Sequence, residues 1–238
     1  MKSTDKNKKL FSFQDFEKGL MLAGYVSPIN SEEVKEREVL TAYDKEQAKE
    51  KKNIYFKRTV LAAEIVNQMH SELTFGRVKF QKLVYLCENV CEMGLNKRYA
   101  KFAAGPFDSK FMHSINTEFK KQKWFKVEYR VDGKYKVPVY KKLEKFDKYK
   151  EYYKNYFSDN DSSIKKIIAI FRKEKTRQVE LVATIFACVL ELSESHSAIN
   201  KENLIDLVYS WSIEKQKYSR TEIANTYDWM VANDIAPN

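Results

Sequence analysis

Cysteine is scarce in this sequence, with three residues in a chain of 238. Three thiols are too few for a disulfide scaffold, and an odd number suits a reducing compartment, so the sequence predicts a cytoplasmic protein. Cys87 and Cys91 stand four residues apart, which places both on one face of a helix. Because the three histidines do not show the spacings that complete a zinc site, we expect no metal and interpret the thiols as small apolar side chains.

Glycine, proline and long apolar runs are also rare. Six Gly and four Pro in a chain that is 43% hydrophobic and 14% aromatic are typical of a folded, helix-rich protein and exclude a linker or low-complexity chain. No apolar stretch approaches the roughly 18 residues that cross a bilayer, and no signal-type apolar segment follows the lysine-rich start. The sequence therefore predicts a soluble, intracellular chain with no membrane partner.

The motifs of common enzyme classes are missing as well. The sequence has no phosphate-binding P-loop, no glycine-rich dinucleotide turn, no serine nucleophile elbow and no zinc-protease helix. Carboxylate–lysine pairs such as Glu128 and Lys126 do not exceed chance in a chain that is 32% charged, and a lone His113 on a helix is more often structural than catalytic. We therefore predict a protein that is not an enzyme and that uses no cofactor.

Positive charge is the composition feature that points to a partner. The chain has 43 Lys and Arg against 33 Asp and Glu, for a formal charge of +10. The excess belongs to residues 54–158, which hold 22 basic and 11 acidic groups, whereas residues 1–53 and 159–238 are close to neutral. Of these 22 cations 18 are Lys, which favours diffuse attraction to phosphate over base reading by Arg. Such a segment suits nucleic acid or an acidic protein.

The middle segment also has the clearest helical pattern. Apolar residues recur at helical spacing over residues 56–69 and 77–93, and Gly94 is placed to end the second helix. The Gly-Pro at 105–106 predicts a loop. A third helix follows, capped by Asp108 or Ser109, and runs to about residue 122.

An alternating pattern then predicts a β-hairpin. Apolar and polar residues alternate over 125–131 and again over 135–140, on either side of Asp132-Gly133, a strong two-residue turn. Three helices followed by a hairpin is the element order of a winged helix, a scaffold that serves nucleic-acid binding in some proteins and protein contacts in others.

The predicted polar face of this hairpin is the strongest candidate for phosphate contact. It shows Lys126, Glu128, Arg130, Lys134 and Lys136, most of which are basic. Cations at the start of the second helix extend the set, so the predicted nucleic-acid-binding residues are Lys126, Arg130, Lys134, Lys136, Arg77 and Lys79. The expected partner of this surface is the phosphate backbone of DNA.

The other segments predict helices. Residues 13–24 have helical spacing, residues 31–52 form a charged helix or a linker, and four helices follow a Ser- and Asp-rich linker at 158–163. We predict three parts: an N-terminal arm with charged helices or linker (1–53), a basic helical domain with a hairpin wing (54–158) and a C-terminal helical subdomain (159–238). The predicted fold class is mainly α with a small β-hairpin.

Apolar residues in the near-neutral segments are the candidates for protein contact. The predicted partner-binding residues are Phe16, Leu20, Trp211 and Trp229. Their partner would be a second protein or a second copy of the chain.

Two strings in the middle segment are similar to known proteins. Residues 74–88, TFGRVKFQKLVYLCE, and residues 103–108, AAGPFD, resemble the C-terminal accessory region of type I restriction-modification specificity-subunit-like proteins. The resemblance extends over about residues 12–238 and includes residues 56–66, 209–215, 228–230 and 235–237. Because the chain has no room for a pair of target-recognition domains, the resemblance implies only the distal region and an association with restriction-modification, a bacterial defence against phage.

A shorter core is similar to the Panacea antitoxin-type domain, a helical domain that neutralises toxins through protein contact. The matching positions are Lys79, residues 82–85 (KLVY) and Gly105-Pro106. The resemblance implies an inner helix that contains the lysine at position 82 and a tight turn at 104–106 packed against it.

Two functions are compatible with these observations. The leading hypothesis is a non-catalytic module that binds DNA, protein or both within a bacterial type I restriction-modification system. The alternative is an antitoxin-like or regulatory protein that binds and neutralises a partner protein.

Overall fold

A computed structural model describes residues 31–95, 98–133 and 135–237, with side chains except at 31–42, 132 and 135. Phe16, Leu20, Lys134 and the helix predicted over 13–24 lie outside these residues. The chain divides into two compact units, residues 1–52 and 53–238. The described part is mainly helical with two antiparallel two-stranded sheets, which confirms the predicted fold class. The winged helix and the three-part division stay predictions.

Eight α-helices carry the described fold. They are α1 (Ser31–Met69), α2 (Arg77–Val90), α3 (Ser109–Lys121), α4 (Tyr149–Phe157), α5 (Asp161–Phe171), α6 (Thr176–Glu194), α7 (Lys201–Trp211) and α8 (Arg220–Ala232). Two short 3-10 helices, Phe146–Lys148 and Ile213–Lys217, precede α4 and follow α7. None of these helices combines the length and apolar character needed to span a bilayer.

The first helix is continuous where the sequence suggested two segments. Residues 31–69 contain neither Gly nor Pro, so nothing in the chain breaks the backbone hydrogen bonds between the charged half and the apolar half. The apolar half is fully buried at positions such as Leu61, Ile65 and Met69. α2, in contrast, ends at Val90 rather than at the predicted residue 93, because Glu92 already takes a left-handed backbone conformation (φ 46°).

The helices of residues 53–238 share one core. α2 packs against α5 and α6, and α6 also packs against α7 and α8. Every residue of α2 from Lys79 to Glu88 is buried, so this helix is surrounded by the others. The linker predicted over 158–163 is shorter than expected, since α5 already begins at Asp161.

Two small hairpins complete the fold. Strands β1 (Ala100–Phe102) and β2 (Gly105–Phe107) pair where the sequence predicted only a loop. α3 follows β2 and is capped by Asp108, whose Oδ1 accepts a hydrogen bond from the Phe111 N–H at 3.0 Å, which confirms one of the two predicted caps. Strands β3 (Phe125–Asp132) and β4 (Tyr135–Lys142) form the longer, predicted hairpin.

Candidate nucleic-acid interface

The long hairpin turns one residue later than the sequence predicted. Asp132 pairs with Tyr135, so Asp132 belongs to the strand and not to the turn, which the sequence had predicted at 132–133. Gly133 occupies the first loop position with φ +57°, a conformation that glycine adopts without strain. The shift changes which residues are paired but not which share a face, because moving a two-residue turn by one position shifts the pairing by two residues.

The register assigns each side chain of the hairpin to one of two faces, because residues directly opposite each other in an antiparallel pair share a face. We define the inner face as Phe125, Val127, Tyr129, Val131, Lys136, Pro138, Tyr140 and Lys142. The outer face consists of Lys126, Glu128, Arg130, Val137, Val139 and Lys141. The predicted single basic face is therefore wrong: Lys126 and Arg130 lie on the outer face and Lys136 on the inner face.

The inner face packs on the core from the base of the hairpin as far as Pro138, which is buried in the middle of β4. Phe125 and Tyr140 are buried at the base, and the Tyr140 ring lies 5.9 Å from Phe75 and 5.8 Å from Phe80. Towards the turn the same face is uncovered, with Tyr129 60% and Val131 72% exposed. The distal half of the hairpin thus extends beyond the core and leaves side chains on both faces accessible.

The outer face carries an ion-pair cluster. The Glu128 carboxylate lies 3.1 Å from the Lys126 ammonium and 2.6 Å from that of Lys141. Hydrogen bonds from Lys141 and Lys126 lower the pKa of the Glu128 carboxyl. Arg130 is exposed on this face and makes no ion pair with any described side chain.

The two predicted cations of α2 have different environments. Arg77 is the first residue of the helix and is exposed. Lys79 is fully buried, and its ammonium donates hydrogen bonds to Thr74 Oγ1 at 2.8 Å and to the carbonyl oxygens of Arg172 at 3.0 Å and Glu174 at 2.6 Å. Burial lowers the pKa of this lysine. Lys79 therefore joins α2 to the chain after α5, and the prediction that it contacts phosphate is corrected.

The two predicted tryptophans, Trp211 and Trp229, are half-buried, and each contacts other residues of the protein. Trp211 donates its indole N–H to the Phe102 carbonyl at 2.7 Å, and the Lys101 ammonium lies 5.2 Å from its ring centre. Trp229 packs edge-on against Phe171 at 5.9 Å. Beside Trp211, Ile213 is 75% exposed and Phe102 47% exposed. Among these residues, the accessible apolar surface belongs to Ile213 and Phe102 more than to the tryptophans.

A buried ionic cluster, which the sequence did not predict, joins α1, α2 and the cap of α3. Arg58 Nε lies 2.6 Å from Glu88 Oε1, and Arg58 Nη1 lies 2.6 Å from Asp108 Oδ2. The Tyr99 hydroxyl accepts from Arg58 at 3.1 Å and donates to Glu88 at 2.8 Å. Although burial opposes its charge, the guanidinium has a raised pKa because Tyr99, Glu88 and Asp108 surround it. Each of these three ionic groups has a partner within the cluster, so we interpret the cluster as structural.

A second buried group contains two lysines. Lys82 Nζ donates to the Pro106 carbonyl at 2.5 Å, and burial lowers the pKa of Lys82 to about 7. Lys215 Nζ donates to Glu180 Oε1 at 2.8 Å. Burial favours the neutral form of Glu180, yet its pKa is lowered because Lys215 and Lys217 both donate to it. A Cβ on Gly105 would lie 2.7 Å from Thr184 Oγ1, so the chain at 105–106 packs tightly on this group.

A cavity lies between α2, α6 and α8. It measures about 760 Å³ and is lined by apolar residues such as Phe186 and Val231 together with Glu88 and Tyr99, whose polar groups already bind Arg58. Over residues 31–95, 98–133 and 135–237, no group of three or more His, Cys, Asp or Glu side chains is arranged to hold a metal ion. Within these residues the exposed cations around the long hairpin remain the best candidate for ligand contact.

The helical spacing in the sequence does indicate that Lys79 and Lys82 are buried. Lys79, Lys82 and Leu86 follow one another at intervals of three and four residues. They therefore lie on the stripe of α2 that packs against its neighbours. A charge on such a stripe indicates a buried, hydrogen-bonded group rather than a surface contact.

No protein-family model matches the chain, and no curated protein is significantly similar to it.

Proposed function

We propose that this protein is a non-catalytic module that binds duplex DNA through the β3–β4 hairpin, within a bacterial type I restriction-modification system. The observation that carries the proposal is the uncovered distal half of the hairpin. A two-stranded β-ribbon fits the major groove of DNA, and exposed cations on it can contact phosphates on both sides of the groove. The two strands contain five cations, Lys126, Arg130, Lys136, Lys141 and Lys142, against two acids, Glu128 and Asp132.

The charge distribution along the chain supports the same partner. The hairpin lies in the segment 54–158, in which basic residues outnumber acidic ones two to one. The link to restriction-modification comes from the resemblance of residues 12–238 to the accessory region of specificity-subunit-like proteins. In such a system the module would hold DNA while other subunits supply base recognition and catalysis.

Salt-dependent DNA binding tests the proposal. A labelled 20-base-pair duplex is titrated with the full chain at several salt concentrations, and we expect log Kd to rise linearly with log salt, by about 0.9 for each phosphate contact. Replacing Lys126, Arg130, Lys134 and Lys136 together by Ala should weaken binding and lower the salt slope by about 0.9 for each phosphate contact that is lost.

A matched control removes the same charge from other elements. Lys165, Lys166, Lys201 and Arg220 are exposed cations on α5, α7 and α8, and each is paired with a carboxylate. Their joint replacement by Ala should leave most of the affinity intact. Equal losses in both variants, or no binding by the unchanged protein at low salt, would contradict the proposal.

A second candidate function is neutralisation of a toxin by protein contact. The observation that favours it is the contact between Lys82 and the Pro106 carbonyl, with Gly105 against Thr184, at the positions that resemble the Panacea core. Phe102 of β1 is exposed, and so is Ile213, close to the Trp211 that binds the Phe102 carbonyl. These two side chains would suit an apolar partner.

Co-purification separates the two candidates. The tagged chain is isolated from its host with and without nuclease. Methyltransferase and translocase subunits together with nuclease-sensitive nucleic acid would favour the first candidate. A small toxic protein that is retained after nuclease treatment would favour the second.

A further inference from the structure

The two faces of the β3–β4 hairpin offer different surfaces to an anion. On the outer face the Glu128 carboxylate is held between Lys126 and Lys141, so an approaching phosphate meets a carboxylate and must compete with two ion pairs. On the inner face Lys136 and Lys142 are exposed on either side of the buried Pro138 and Tyr140, and no described carboxylate pairs with either lysine, although the Lys142 ammonium lies 4.6 Å from the Phe146 ring centre. The inner face therefore presents cations with no described carboxylate between them.

Arg77 extends the inner face from a second element. The inner-face residue Tyr140 packs against Phe75 and Phe80, which flank Arg77 at the start of α2. Burial raises the pKa of the Tyr140 hydroxyl, Tyr129 raises it further and Arg77 lowers it, in agreement with a guanidinium close to this face. Arg77 is exposed and makes no ion pair with a described acid.

Uncovered side chains lie on the same face near the turn. Tyr129 and Val131 are the most exposed apolar residues of the hairpin, although they belong to the face that is buried at its base. Tyr combines an apolar ring with a hydroxyl that can donate to phosphate or sugar oxygens, so it suits a nucleic-acid backbone. Arg77 of α2 and Lys136 and Lys142 of β4 can each pair with a phosphate of a DNA strand, and Tyr129 lies on the same face as the two lysines.

We propose that the inner face of the hairpin, and not the outer face, lies against the DNA backbone, with Arg77, Lys136 and Lys142 as its phosphate contacts. This inference rests on the proposed DNA binding and names the surface that performs it. The outer-face cations Lys126, Arg130 and Lys141 would then point away from the bound strand.

Two triple variants of equal charge change test the assignment. The inner variant combines Arg77→Ala, Lys136→Ala and Lys142→Ala, and the outer variant combines Lys126→Ala, Arg130→Ala and Lys141→Ala. Both are titrated against the same 20-base-pair duplex as the unchanged chain, after circular dichroism has shown equal helix content. We expect the inner variant to bind about tenfold or more weakly, with the salt slope reduced by about 2 to 3, and the outer variant to change the slope by less than one.

The outcomes distinguish this inference from the function on which it rests. A larger loss in the outer variant, or equal losses in both, would overturn the face assignment while DNA binding stands. No binding by the unchanged chain at low salt would remove the proposed function itself. If the inner variant lost an acidic protein partner from host extract but kept its affinity for DNA, the inner face would be a protein surface and the inference would be wrong.

Discussion

Gly105 provides the most direct test of the packing around the short β1–β2 sheet. Its backbone has φ +95°, which an L-residue adopts at a cost of about 1–2 kcal/mol. A Cβ at this position would also lie 2.7 Å from Thr184 Oγ1 and 3.4 Å from Lys82 Nζ. Overpacking of this kind costs a further 1–3 kcal/mol, so Gly105→Ala should lower the free energy of unfolding by about 2–5 kcal/mol.

Gly94 is a matched control for the backbone contribution. It also has a positive φ, +62°, but a Cβ there would meet nothing within 4 Å. Urea denaturation followed by circular dichroism should therefore give Gly94→Ala a loss of only about 1–2 kcal/mol. The difference between the two variants measures the steric contact alone.

A double variant identifies the clashing atom. Thr184→Ala removes the hydroxyl that a new Cβ would strike, so the Gly105→Ala and Thr184→Ala double variant should lose less stability than the two single losses added together, by about 1 kcal/mol or more. Additive losses, or a Gly105→Ala variant as stable as Gly94→Ala, would refute the close packing of residue 105 on α6.

Two further predictions concern the buried charges. Arg58→Met leaves Glu88 and Asp108 buried without their cation and should cost about 3–5 kcal/mol in urea denaturation, whereas Lys201→Ala, which breaks an exposed pair, should cost less than about 1 kcal/mol; similar costs would contradict the structural role of the Arg58 cluster. Because the pKa of Lys82 is about 7 in the folded protein and about 10.4 in an unfolded chain, the unfolded state holds more protons between these values, so stability relative to Lys82→Met should rise from pH 7 towards pH 10. The free energies of unfolding of both proteins over this range check the sign, and a constant difference would show that Lys82 is charged in the fold.

Local patterns predicted most of the helices because their apolar spacing and their caps lie within a few residues of each other. Four α-helices, α5 to α8, follow residue 160 as the spacing predicted, and Asp108 caps α3. The short strands β1 and β2 were missed because three residues are too few to show a period of two. The chain there is held by tertiary contacts, such as that from Lys82 to Pro106, which local sequence does not reveal.

The sequence predicted where the hairpin lies along the chain, but not which side chains share each of its faces. Alternation identified the hairpin, but the turn at 132–133 was one residue early, because Asp-Gly is a favoured pair and the sequence offered nothing to set the register. With a two-residue turn at either position Lys136 lies on the face opposite Arg130, so the predicted single basic face does not depend on this step and fails in both registers. Lys79 was misassigned because net charge does not distinguish a lysine at the surface from one whose ammonium is satisfied by backbone carbonyls.

The short β1–β2 hairpin uses backbone carbonyls to bind side chains of the surrounding helices and their ends. The Phe102 carbonyl of β1 accepts a hydrogen bond from Trp211, the Pro106 carbonyl of β2 accepts one from Lys82, and the Ala103 carbonyl in the turn accepts one from Ser212. Pro106 in addition has no N–H to offer a neighbouring strand. Because a two-stranded sheet with free edges is a template for aggregation, we expect these contacts to limit edge-to-edge association. We therefore expect Trp211→Ala to reduce the solubility of the protein at high concentration.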